Sequence, residues 1–185
     1  TIQYHRLTSN FDQVINEVQL AIPEAPYELI EFHVKRALVD FCRESHYWKE
    51  DIGPVPVVSA TNTYDVPVSQ YQRPITIDTI VATRGDDQKT LQRSQDESVT
   101  YRFWQHSDFA FEIYPHAELI GYTLSVITTL EPVLVGATSA VKVSDSVVAA
   151  WHDALVNGAI SRIKKIPNKP WTDLQDSAIA GVLMM

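Results

Sequence analysis

Six histidines, 23 acidic residues and one cysteine are the side chains of this 185-residue chain from which chemistry could be built. Cys42 and His46 stand four apart. On a helix that spacing puts both on one side, where two ligands of a zinc site could sit. Two further ligands would be needed, and His33 lies at no helpful spacing. A part-buried thiol beside a surface imidazole explains the pair more simply. His152 and Asp153 are adjacent, so on a helix their side chains diverge and do not make a carboxylate-oriented base. His106 and Asp108 read as neighbouring loop residues before Phe109. The six glycines, at 53, 85, 121, 136, 158 and 181, are too scattered for a phosphate-cradling loop. There is no Gly-x-Ser-x-Gly elbow. Nucleophile, base and orienting group do not line up, and the chain is expected not to be an enzyme and to use no cofactor or metal. The enzymatic alternative is a wall-degrading hydrolase with an acid pair from residues 96–118, whose separation across strands sequence does not give.

Binding residues stand out more clearly than catalytic ones. The densest basic cluster is Arg162, Lys164, Lys165 and Lys169. It could touch DNA phosphate, but cations in the last helical turn also match the helix dipole, and that reading is preferred. Of the four tryptophans, Trp48 and Trp151 fall on apolar helical stripes and are expected in cores. Trp104 and Trp171 fall outside the stripes and are the better interface anchors. The candidate partner-binding set is therefore Trp104, Lys164, Lys165, Lys169, Pro170 and Trp171.

These residues must be positioned by two kinds of element. Phe11, Val14, Ile15, Val18 and Ile22 recur at helical spacing behind Ser9, which with Asp12 resembles a capping box, and Pro23 ends the run. A second stripe, Tyr27, Ile30, Val34, Ala37, Phe41 and Trp48, opens after Pro26 and closes at Gly53-Pro54. From Val55 to about Val143 the period is two. Ile75, Ile77, Thr79, Val81 and Thr83 alternate ahead of an Arg84-Gly85-Asp86-Asp87 turn. Phe109, Phe111 and Ile113 alternate, as do Tyr122, Leu124, Val126 and Thr128. Val55–Val58 is expected to pair with Tyr64–Val66 through the Ala60-Thr61-Asn62 turn. Helical spacing returns after Ser144-Asp145-Ser146 with Val148, Trp151, Leu155, Ala159, Ile163 and Ile166. Pro167 stops it, and a short helix follows from Asp173 to Met185.

The expected fold class is α+β, a helical bundle of residues 1–52 and 144–185 with an antiparallel β-sheet or sandwich domain, 53–143, inserted between its second and third helices. The formal charge of −8 follows the same division. Residues 1–49 carry a net −2, 50–131 carry −7, and 142–185 carry +1. So acidic a balance argues against wrapping nucleic acid through a general basic surface. One cysteine excludes a disulfide scaffold. The adjacent uncharged stretches 119–130 and 132–141 are rich in Thr, Ser, Gly and Pro and read as strands and loops, so no membrane anchor is expected. The opening TIQYHRLTSN has no basic start followed by an apolar run, and synthesis in the cytoplasm is expected.

Two stretches carry a resemblance. VKRALVDFCRESHYWKEDIGPVPVVSATNTYDVP (34–67) joins a helix ending Phe41-Cys42-x-x-Ser45-x-x-Trp48 to a strand, a small-residue turn and Tyr64-x-Val66-Pro67. VNGAISRIKKIPNKPWTDLQDSAIA (156–180) has Asn157-Gly158-Ala159 at mid-helix and a Pro167-x-Lys169-Pro170-Trp171 break. In this order, after Ile22-Pro23-Glu24-Ala25-Pro26, they resemble the head-to-tail adaptor or connector proteins of tailed bacteriophages, related to the tail tubular proteins of short-tailed phages. The resemblance implies a structural virion protein at the head–tail interface. It implies a homo-oligomeric ring, usually a dodecamer, beneath the portal protein. The ring would extend the DNA channel, pass double-stranded DNA without specific binding, and carry tail nozzle or fibre proteins. The 167–171 break and its lysines would meet portal or a neighbouring subunit. Members of that family continue into a longer, basic C-terminal helix, whereas this sequence stops at Met185. A conduit wall should not hold phosphate tightly, so an acidic or mixed lumen is expected. Another neck or tail component (head completion, tail terminator or fibre attachment) is the alternative. A carbohydrate-binding module resting on Tyr101, Phe103, Trp104 and Tyr114 is a weaker one.

Overall fold

A computed structural model describes residues 10–134, 143 and 145–183. The chain is α+β and divides into two compact units. One takes the described residues through Glu44 and from Leu134 onward; the other is Ser45–Val133. No helix among the described residues is long and apolar enough to cross a membrane.

The first unit is helical. Its α1 (Asn10–Ala21) buries Val14, Ile15 and Val18, one stripe at 3-4 spacing. The expected caps Ser9 and Ser144 lie outside the described residues. Instead, the Asn10 side-chain amide donates to the Asp145 carbonyl at 3.3 Å, tying α1 to the start of α4 (Asp145–Ala150). Pro26 precedes α2 (Tyr27–Ser45), where the missing N–H costs nothing. Ile30, Val34, Ala37, Leu38, Phe41 and Cys42 are buried along it. α5 (His152–Lys164) buries Leu155, Ala159 and Ile163, and α6 (Leu174–Val182) packs against it.

Two helical expectations are corrected here. Trp48 is not on the α2 stripe: the helix ends at Ser45, and His46 takes a left-handed φ of 53°. Trp48 is buried in the other unit, where its indole donates to Glu50 Oε1 at 2.9 Å and its carbonyl accepts from the Leu130 amide at 2.8 Å. The expected edge at residue 52 moves accordingly to 44/45, because strand begins at Lys49; the expected edge at 143/144 touches residues outside those described. The run from 145 to 164 is also not one helix. It breaks at Trp151, which is 38% exposed and lies against Phe41 at 5.0 Å between ring centroids.

The second unit holds a seven-stranded sheet of order β1-β7-β3-β4-β5-β6-β2. The strands are β1 (Lys49–Pro56), β2 (Thr63–Asp65), β3 (Gln72–Arg84), β4 (Asp87–Arg93), β5 (Arg102–Gln105), β6 (Ala110–Tyr114) and β7 (Thr123–Pro132); α3 (His116–Leu119) lies between the last two. The sheet is mixed, not purely antiparallel as expected. β4 and β5 pair parallel, Gln92 opposite Arg102, because residues 94–101 carry the chain back to start β5 in the same direction. Asp96 helps shape that return, accepting from the Ser98 amide at 2.9 Å. The expected hairpin of Val55–Val58 with Tyr64–Val66 does not form. Val55 stands opposite Leu124 and Tyr64 opposite Phe111.

The longest alternating run changes phase within itself. Along β3 the buried residues are Pro74, Ile77, Ile80 and Ala82, not Ile75 through Thr83 at every second position. Register shifts between Pro74 and Thr76, and between Ile77 and Thr79, each insert one unpaired residue and turn the following side chains over. The second extra residue, Asp78, accepts from the Thr129 hydroxyl at 2.7 Å and pairs with Lys49 at 3.3 Å. The Gly85-Asp86 turn joins β3 to β4 as expected, with Gly85 at φ +59°, which glycine adopts without steric cost. Ile77, Ile80, Leu91, Phe103, Phe111, Ile113 and Leu124 fill the core of this unit.

Candidate functional site

The basic end of α5 is taken apart by its surroundings. Arg162 donates to the Gly158 carbonyl at 3.0 Å and pairs with Asp40 of α2. Lys164 pairs with Asp176 of α6. Both cations therefore hold helices together, and Lys164, expected to meet a partner, is committed within the unit. Lys165 and Lys169 are exposed and have no anionic partner among the described residues.

Between them the chain turns a firmly tied corner. Pro167 stops α5, and Asn168 takes the left-handed region at φ 59°, which asparagine tolerates. The Thr172 hydroxyl donates to the Ile166 carbonyl at 2.5 Å and accepts from the Lys169 amide at 3.0 Å. The Asp173 amide returns to the Lys164 carbonyl at 3.1 Å, satisfying one of the carbonyls a helix end leaves open. The Asp173 carboxylate then caps α6, accepting from the Gln175 and Asp176 amides at 3.1 and 3.0 Å. Pro170 is exposed on this corner. Trp171 is half-buried, with its indole N–H enclosed and without a hydrogen-bond partner among the described residues.

α6 places its small residues inward. Ser177 and Ala180 are buried; the Ser177 hydroxyl donates to the Ser161 carbonyl at 2.8 Å. A Cβ on Gly181 would stand 3.1 Å from Ser161 Oγ, so the glycine allows the close approach of α5. The large side chains consequently face water: Leu174 is 68% exposed, Ile179 55%, Val182 72% and Leu183 62%. At the far end Leu183 borders a groove with Ala150, Trp151 and Ala154 at the α4–α5 break. This outward apolar arc was not anticipated. Its signal was present: on a helical wheel residues 174, 178, 179, 182 and 183 share one half, and Ser177, Ala180 and Gly181 the other.

Trp104 belongs to the sheet unit. It is half-buried on β5, in register with Glu112 of β6. The Glu112 carboxylate accepts from the Tyr114 hydroxyl at 2.5 Å, lies 3.2 Å from His106 Nε2, and accepts from the Thr63 hydroxyl at 3.4 Å. The Tyr114 hydrogen bond, foremost, and then His106 lower the Glu112 pKa against the opposing effect of desolvation. The same bond raises the Tyr114 pKa. Arg102 lies over the Tyr114 ring, 4.9 Å from its centroid. Arg102, Trp104, Glu112 and Tyr114 thus form a cross-strand set of charged and aromatic side chains. The carbohydrate-platform alternative loses Phe103, which is fully buried.

The remaining chemical candidates are placed as follows. Cys42 is buried in α2, while His46 lies beyond the helix end and is exposed, so the two do not flank a common site. His152 and Asp153, expected to diverge, come to 3.4 Å because they open α5, and Glu17 of α1 stands 3.5 Å from the other ring nitrogen. Asp108 pairs with Arg73 at 2.6 Å. No group of three His, Cys, Asp or Glu residues suited to a metal occurs among the described residues. No protein-family model matches the chain, and no curated protein matches it in sequence.

Proposed function

We propose that the chain is a structural virion protein, a head-to-tail adaptor that assembles as a ring beneath the portal of a tailed bacteriophage. In this reading the ring is a dodecamer, extends the DNA channel and provides the platform for tail nozzle or fibre proteins. The finer architecture that goes with it is a helical bundle carrying an inserted, largely antiparallel β domain. The observation that carries the reading is the α5–α6 corner with the outer face of α6. There a well-anchored turn holds Lys165, Lys169 and Pro170 exposed beside four large apolar side chains that face solvent. Scattered surface apolar residues need no explanation, but several on one short helix mark a surface that is covered on assembly. The acidic β-rich segment suits a conduit past which DNA slides, since each basic contact would add affinity and drag. The Arg102–Trp104–Glu112–Tyr114 set suits a docking point for a tail component, because Trp, Tyr and Arg are the usual interface anchors.

The test is co-incubation with a portal protein, read by light scattering and electron microscopy. Portal-dependent rings are expected, with weakened assembly in an Ile179→Lys variant. A chain that stays monomeric and ignores portal at every salt concentration would remove the adaptor reading.

A further inference from the structure

The helical unit bears a second corner, between α1 and α2, whose chemistry mirrors the first. Leu20 is 81% exposed and Tyr27 48%, and Ala21, Pro23 and Pro26 are exposed between them. Glu24 and Glu28 stand exposed on the same turn without a cationic partner among the described residues. The corner is held in shape. Gln19 donates from its amide to the Pro23 and Ala25 carbonyls, both at 3.3 Å, and buried Ile22 and Ala25 anchor it from beneath. Its local field is negative: after burial, Glu31, Asp12 and Glu28 all raise the Tyr27 pKa.

The α5–α6 corner offers the complement: Lys165 and Lys169 without an anionic partner among the described residues, Pro167 and Pro170 exposed, and Leu174 leading into the apolar arc of α6. Two exposed anions framed by proline and apolar side chains match the chemistry of two exposed cations framed likewise. Each copy of the chain carries one of each, and both are exposed among the described residues. We infer that the partner of the α5–α6 corner is the α1–α2 corner of a second copy, joined head to tail with Lys165 and Lys169 against Glu24 and Glu28.

Such a contact is heterologous. It leaves one corner free at each end and repeats until a ring closes. Each corner presents far fewer than the roughly 20–30 residues per side of a standard interface, so a single contact is weak and closure supplies the stability. The inference rests on the ring reading above and gives that ring its subunit contact.

Charge reversal tests it on the full chain. Glu24→Lys/Glu28→Lys makes both corners basic, and Lys165→Glu/Lys169→Glu makes both acidic. At low salt and high protein concentration the natural chain should associate in light scattering, and each reversed variant should associate at least about tenfold more weakly. Mixing the two variants should restore association, because every contact then joins unlike corners. Two tagged chains, Leu20→Cys and Leu174→Cys, should cross-link with each other and not with themselves. Association indifferent to the reversals, homotypic cross-links, or a monomer that forms no Leu20–Leu174 cross-link would each overturn the inference. The chain alone reports on the corners and the portal complex on the adaptor reading, so rings that form on portal without corner pairing would sink this contact only.

Discussion

Replacing the outer face of α6 should leave the folded chain nearly intact. In a Leu174→Gln/Ile179→Lys/Val182→Gln variant the three side chains start 68%, 55% and 72% exposed. Together they forgo about one side chain's worth of burial, about 1.5–3 kcal/mol at the usual value for a fully buried aliphatic. The stems of Lys and Gln retain part of that contact, and their better helix propensity returns a few tenths of a kcal/mol over Ile and Val. The expected net cost is about 1 kcal/mol. Gly181→Val, one position from Val182 but on the inner side, is the control. Its Cβ would meet Ser161 Oγ at 3.1 Å and its further methyls more closely, an overpacking worth about 1–3 kcal/mol. Urea unfolding gives the global stability, and hydrogen exchange of the α6 amides shows whether the helix stays docked. The outer-face variant should keep its protection while Gly181→Val loses it. A loss above about 4 kcal/mol in the outer-face variant, or unprotected α6 amides, would mean that this face is core and that the helix has been read inside out.

Three further outcomes follow from the same structure. Phe111→Ala, at a fully buried site in the sheet core, should cost about 3–5 kcal/mol in urea unfolding. Asp173→Ala removes the acceptor for two α6 amides and should cost about 1 kcal/mol, seen first as faster exchange at Gln175 and Asp176. The His33 pKa is lowered by burial and then by Arg162 and Arg36. A histidine whose folded value lies below its unfolded one contributes stability that is present above the unfolded value and lost as pH falls through the folded one. Unfolding midpoints should therefore drop below the ordinary imidazole range, and His33→Gln should flatten that part of the profile; an unchanged slope would contradict it.

Legibility in the sequence followed the range of the interaction. Helical stripes are local, and Val14, Val18, Ile30, Val34, Leu155 and Ile163 are buried where 3-4 spacing puts them. The Gly85-Asp86 turn was equally local. Strand partners were not legible, because nothing in Val55 names Leu124 or in Tyr64 names Phe111. The phase of β3 was lost at two inserted residues, each invisible to a period-two count until the partner strand is known. At the candidate site, Lys165, Lys169 and Pro170 are exposed, yet Lys164 is claimed by Asp176, twelve residues away. The α6 arc was missed because hydrophobic size alone suggests facing inward. What turns it outward is the close approach that Gly181 and Ser177 permit, a property of the neighbour as much as of the helix.

The two ends of the Ser45–Val133 unit emerge from adjacent strands, β1 and β7, with the Trp48 carbonyl accepting from the Leu130 amide near the crossings. Its entrance and exit are thus spaced like those of a short loop, although many residues lie between them. The entropic cost of closing the helical unit around the insertion is set by that short gap once the sheet is folded. A shorter or longer sheet whose ends are also neighbours would leave that gap, and so the closure cost, unchanged.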